Sequence, residues 1–387
     1  MRRPAPSPNC ASATPHFFEE YFLAPRELFD RAAAFQAASP QRLAIAPLPR
    51  TPEAPTCDTF AWRAIVLRTA SLLLALTLTG VAADFPQAAI SSGPIRARLY
   101  LPDTKDGYYR ATRFDWSGQI ASLEYNGHNY FGQWFEKYDP KLHDAILGPV
   151  EEFLTNGIGL GYNDVKVGES FVKIGVGAVR KPQENAFQQF HTYEITDSGK
   201  WSVKTFPDRV EFTQELRDTA GYAYLYKKTV RLAPDKPQLL LEHSLKNTGS
   251  KIIETSVYEH NFYMLDGKPA GPDYTVRFPF TVRADRDLKG LAEARGDQFT
   301  YLKELEKGQS VYTMLEGYGA APKDYDIRVE NRAAGAGVRQ TSDRPLSKLV
   351  FWSIRSTVCP EAYIDMKIDP GKEFTWRIAY DFYTLKP

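Results

Sequence analysis

The chain has 387 residues, 43% of them hydrophobic, and a formal net charge of +1. That length supports a large core, and the charge balance excludes the basic footprint that nucleic-acid binding requires. Three dispersed cysteines, Cys10, Cys57 and Cys359, exclude both a disulfide-stapled miniature and a thiolate metal site.

The first 83 residues contain arginine but no lysine; the first lysine is Lys105, and 40 basic and 41 acidic residues follow this segment. Residues 1–62 read as a disordered leader or an untranslated upstream stretch, with one candidate helix over Glu19–Ala38 and a true start expected near Arg63. Residues 63–83 read as a secretory signal. Arg63 and Arg68 form its basic end, Thr69–Thr79 its apolar core, and Val81-Ala82-Ala83 a small-residue cleavage site before Asp84. The apolar run is shorter than the roughly 20 residues that span a bilayer, and no cysteine stands at its end to take a lipid. Residues 84–387 are therefore expected to form a single periplasmic or secreted domain, without stable membrane insertion. Only Cys359 remains in it, so no intrachain disulfide can form.

From Pro94 onward, alternating β-branched and aromatic residues predict strands at Arg96–Leu101, Tyr108–Asp115, Gln119–Tyr125 and His128–Gln133. Asn126-Gly127 between the last two is a hairpin signal. Further strands are predicted at Val172–Val176, Gln188–Ile195, Trp201–Phe206, Val210–Leu216, Tyr222–Leu232 and Gln238–Lys246. Asn247-Thr248-Gly249 then turns the chain into Lys251–Leu265. Later strands are Tyr274–Val282, Ser310–Leu315, Ile327–Glu330, Lys348–Ser353, Ala362–Ile368 and Phe374–Phe382. Asn156–Tyr162 is Gly-rich and reads as a surface loop; Asp285–Glu293 is the one short helix expected. Strands separated by turns, with scarcely any helical periodicity, predict an all-β chain built as a large antiparallel sandwich.

Two stretches carry groups able to move protons. In Val257–Tyr263, alternation places His260 on one face with Tyr258 and Phe262, and Glu259 with Asn261 on the other. The competing reading is a satisfied core histidine between aromatics. In Glu361–Ile368, Ala362, Ile364, Met366 and Ile368 form the buried face, leaving Glu361, Tyr363, Asp365 and Lys367 on the open one. A carboxylate there is ordinarily just solvated. His243 reads as packed within its apolar strand, and His128 and His143 as exposed. Adjacent Glu151 and Glu152 point to opposite faces, so they cannot serve one ligand as a glycosidase pair. Gly157–Gly161 is neither a dinucleotide fingerprint nor a P-loop, and no zinc-protease helix, EF-hand or nucleophile elbow is present. Neither a cofactor nor a metal is expected.

His260–Gly267 (HNFYMLDG), the Glu361 strand leading into Asp369–Glu373 (DPGKE), and Phe374-Thr375-Trp376 resemble the galactose mutarotase-like (aldose 1-epimerase) superfamily. The likeness covers the C-terminal two-thirds of the mature chain. It implies a supersandwich of large antiparallel sheets, with His260 as catalytic acid and Glu361 as catalytic base. The substrate implied is a carbohydrate, either a monosaccharide or a reducing-end sugar. The chain departs from the family at Gly148–Phe153, which lacks the expected arginine. Arg113, Arg180 and Lys181 are the candidate replacements, and His191 is the candidate second histidine. Asp266 or Glu259 is the candidate carboxylate to keep His260 protonated, so the expected substrate-binding set is His191, Arg113, Arg180 and Asp266. A non-catalytic carbohydrate-binding protein is the alternative; a polysaccharide lyase or hydrolase lacks its constellation here.

Overall fold

The computed structural model describes residues 85–386. The predicted signal and leader lie outside these residues. Within them the backbone is almost wholly antiparallel strand, with three one-turn helical segments at Tyr162–Asp164, Leu265–Gly267 and Pro322–Asp324.

Two large sheets organise the molecule. The larger has ten strands, in the order Ala292–Arg295, Gln298–Tyr301, Tyr274–Arg277, Asp326–Asn331, Ala336–Ser342, Glu373–Thr384, Gln238–Asn247, Tyr222–Leu232, Arg209–Thr219 and Lys200–Thr205. The smaller has six, in the order Arg283–Ala284, Ser310–Glu316, Lys348–Ile354, Thr357–Ile368, Ile253–His260 and Val150–Leu154. Their facing sides share one core in which Phe153, Val257, Phe351, Ile364 and Met366 meet Tyr226, Leu241, Trp376 and Ile378. Phe153 bridges the layers, with its ring 5.7 Å from Tyr226 and 6.1 Å from Trp376. Alternation explains the arrangement, because each strand can give only every second side chain to this core.

The outer face of the six-stranded sheet is therefore free to hold something else. It is covered by irregular chain and by a three-stranded sheet of Ser170–Lys173, Gly177–Arg180 and Ile195–Asp197. A second apolar cluster, including Tyr109, Phe114, Trp116, Trp134, Phe171 and Phe262, fills this layer.

The strands predicted at Gln119–Tyr125 and Tyr222–Leu232 have these bounds, and Asn126 (φ 51°) with Gly127 (φ 84°) makes the expected turn. Val172–Val176 is cut by a turn after Lys173, and the strands predicted at His128–Gln133 and Tyr274–Val282 end at Asn129 and Arg277; three further predictions fail over most of their length. Tyr108–Asp115 is not a strand: nearly every residue in it is buried, so its apolar character reports enclosure on both sides and not a two-faced ribbon. Trp116 Nε1 donates to the Ala111 carbonyl, closing a turn there. Of Gln188–Ile195 only Ile195 enters a strand, and the rest crosses the outer face as irregular chain. Asp285–Glu293 is no helix: left-handed backbone at Lys289 (φ 54°) and Gly290 (φ 65°) breaks it, and Ala292–Arg295 pairs with Gln298–Tyr301 around the turn at Gly296 (φ 63°).

Candidate active site

His260 and Glu361 lie on neighbouring antiparallel strands, with Tyr258 directly opposite Tyr363. Two residues further along each strand, the same register brings His260 beside Glu361, and alternation keeps all four on the outer face. His260 Nε2 lies 3.3 Å from Glu361 Oε1. On the far side of the same strand, Val150–Leu154 places Glu152 opposite Tyr258.

The residues after His260 hold it in place. Asn261 turns inward, donating to the Pro360 carbonyl at 2.6 Å and to Gln340 Oε1 at 3.1 Å, while accepting from Tyr380 Oη at 3.0 Å. Phe262 then adopts a left-handed backbone (φ 45°), and its ring stacks on the imidazole at 3.8 Å and 7°. The edges of Trp352 and Phe114 close the other sides at 5.4 and 5.7 Å. Among the described residues, imidazole Nδ1 has no hydrogen-bond partner in this apolar box.

Beside the pair runs a charged network centred on Glu152. Its carboxylate accepts from Arg113 Nε (2.9 Å), Tyr258 Oη (2.5 Å) and Gln189 Nε2 (3.0 and 3.1 Å), and Lys173 Nζ stands 3.8 Å away. Arg113 also donates to Tyr258 Oη at 3.2 Å and pairs with Asp144, which has His143 Nδ1 2.9 Å away. Phe190, half exposed, packs over the guanidinium.

This environment sets the proton inventory. Burial pushes His260 well below the usual imidazole range, with the Arg113 charge adding to the effect and Asp144 opposing it. Burial raises Glu361 to about 8, against the opposing pull of Arg113. At neutral pH the resting pair is therefore a neutral imidazole beside a protonated carboxyl. That is the reverse of the acid and base roles implied by the resemblance.

Glu361 was expected on an open face, yet it is only 6% exposed. Asp365 and Lys367 on the same strand do face solvent. The difference is the covering layer: the irregular chain that buries His260 extends over Glu361 and Tyr363 and stops short of Asp365. Of the four expected substrate-binding residues, Arg113 joins the cluster. His191 is exposed, its ring edge-on to Tyr193 at 4.7 Å. Arg180 pairs with Glu194 on the exposed side of the three-stranded sheet. Asp266 accepts from the Asn129 amide and sits 2.7 Å from His128 Nδ1, far from the role of supporting His260. Lys181 donates to the carbonyls of Tyr162 and Val165. Gln189, Phe190, Lys173 and Asp144 join the site without any motif to announce them, since each comes from irregular or covering chain.

Glu151, as alternation required, points the other way, into the space between the sheets. There it meets His243 Nε2 at 2.6 Å and Lys228 Nζ at 2.5 Å. Glu151, His243 and Glu259 offer donor atoms within 4.8 Å of one another, a carboxylate–imidazole set able to ligate a divalent ion. The Lys228 ammonium already supplies the positive charge at Glu151, and His243 stacks on Trp376 at 4.5 Å. His243 is thus packed, as its apolar strand suggested.

Neither a family model nor a curated protein matches the sequence. Among solved structures, a GalM/aldose epimerase homologue from C. elegans superposes with a TM-score of 0.50 at 13% identity, over 78% of this chain and 99% of that one. The fold is galactose mutarotase-like. Further matches include Slr1438 protein from Synechocystis sp. PCC 6803 (TM-score 0.49, 13% identity, 78% and 97% covered). Another is a galactose mutarotase-like protein from Lactobacillus casei ATCC 334 (0.48, 12%, 77% and 100%). In this galactose mutarotase-like fold, the paired residues sit on the outer face of the smaller sheet, over strands supplied by both resembling motifs.

Proposed function

We propose that this protein interconverts the anomers of a free or reducing-end sugar by general acid–base ring opening. The observation that carries the reading is the 3.3 Å contact between His260 and Glu361, two proton-transfer groups on one face beside Arg113. Protonated Glu361 gives its proton to the ring oxygen while neutral His260 Nε2 takes the proton of the anomeric hydroxyl. The bond from C1 to the ring oxygen breaks, and the open-chain aldehyde turns about C1–C2. As the ring closes on the other carbonyl face, the imidazolium protonates the carbonyl oxygen and the carboxylate takes back the proton of the attacking hydroxyl, restoring the starting pair. The pair holds one transferable proton in either arrangement, so the acid and base labels exchange between the two directions of one step. No step calls for a cofactor.

Polarimetry or NMR of freshly dissolved aldoses tests this. Wild type should accelerate equilibration, and Glu361→Gln should lose about 10²–10⁴-fold, the usual worth of one positioned proton transfer. A second reading, a non-catalytic carbohydrate-binding protein, is favoured by the depth of the pair, with His260 3% and Glu361 6% exposed. It predicts sugar binding with no acceleration in wild type or variant. The segment Arg63–Ala83 supports export, and sequencing the native protein should then find Asp84 first.

A further inference from the structure

We infer that the sugar taken by this site carries a carboxylate, as in a uronate-type pyranose, and that Lys348 receives it. This rests on the acid–base reading above and names its substrate class.

The cations around the pair are not equally engaged. Arg113 is fully committed to Glu152, Asp144 and Tyr258. Lys173 is buried against Glu152, its Nζ without a hydrogen-bond acceptor among the described residues. Lys348 is exposed, and among the described residues its ammonium has no ion-pair partner; it lies 3.8 Å over the ring of Tyr363. Glu361 and Asp365 act on it electrostatically without a direct ion pair, each engaged elsewhere. Asp365 accepts from Ser256 Oγ at 2.7 Å and Ser347 Oγ at 2.8 Å, and Glu361 faces His260.

Register then fixes where that ammonium sits. Lys348 is opposite Tyr363, and Val350 is opposite Glu361. Lys348 thus lies one strand across and two residues along from Glu361, on the same face. With a strand spacing of ~4.8 Å and a rise of ~3.3 Å per residue, the two backbone positions are roughly 8 Å apart. A pyranose whose ring oxygen is held at Glu361 bears its exocyclic C6 group on the carbon next to that oxygen. The C6 carboxylate oxygens lie about 3–4 Å from that ring oxygen, so with a hydrogen bond of about 2.8 Å at each end the sugar can bridge from Glu361 to an ammonium on the neighbouring strand. One exposed ammonium suits a carboxylate monoanion; a phosphate, with its higher charge and three acceptor oxygens, is ordinarily gripped by several donors.

The test uses the full chain, with freshly dissolved glucuronate, galacturonate, glucose and galactose followed by NMR. Binding of the same four sugars is read by calorimetry. Wild type should prefer the uronates. Lys348→Gln should lower the ratio of uronate to neutral kcat/KM about tenfold through a raised KM, and Lys348→Arg should restore it. Equal handling of neutral and acidic sugars by wild type, or an unmoved ratio in Lys348→Gln, would overturn the inference while leaving the acid–base reading intact. Uronate binding that needs Lys348 but brings no acceleration would uphold the charge recognition and sink the catalytic reading. Absence of uronate binding would overturn it outright.

Discussion

Glu361→Gln also probes the buried carboxyl without any substrate. The folded chain holds this proton up to about pH 8, whereas the carboxyl's ordinary value is 4.5. Because the folded value is raised, the associated stability is complete below the ordinary value and is lost as pH climbs through the folded one. Between about pH 5 and about pH 8, wild type should lose about 3 to 4 kcal/mol through this group alone. Glutamine is a neutral near-isostere of the protonated carboxyl, so the variant should resemble wild type at the lower pH and gain on it by that amount at the higher. Urea denaturation of both proteins at the two pH values measures it. Other buried groups with displaced values, such as Asp115, Glu259 and His260, titrate in both proteins and largely cancel in the difference. A stability difference that stays constant between the two pH values would show that Glu361 is not desolvated, and the proton inventory argued for the site would fall with it.

Arg113→Gln should destabilise the chain by about 3–5 kcal/mol in the same assay, because fully buried Glu152 loses its main cation. It should also raise Glu361 further, since Arg113 is the largest influence holding it down, so the pH-dependent loss moves to higher pH. Glu151→Gln should cost about 3–5 kcal/mol by stranding the buried Lys228 ammonium. Adding Lys228→Met to it should recover part of that loss, and a double-mutant cycle by urea denaturation reads the coupling.

Much of the fold was legible because strand alternation is a local signal. Tyr222–Leu232 and Gln238–Asn247 give alternate side chains to one core, and their apolar period survives in the sequence. The same signal failed where chain is buried on both sides. Tyr108–Asp115 reads as a strand but is irregular, and Val150–Leu154, buried throughout, shows no alternation and passed unnoticed as a strand. The candidate site divides in the same way. His260 and Glu361 were visible as chemistry on two resembling motifs, and alternation assigned each its face. Arg113 was only one of three interchangeable cations until folding set its guanidinium against Glu152.

The all-β class and the face that His260 shares with Tyr258 were legible in the sequence, because alternation is local backbone geometry, and Glu151 and Glu152 oppose each other wherever that segment is extended. Only the tertiary structure decided that Tyr258 and Tyr363 share a register, which puts the imidazole next to the carboxyl. It also decided that a covering layer from distant chain removes both from water. Register and burial arise from contacts between segments far apart in sequence, and the protonation states that govern the site's chemistry depend on that burial.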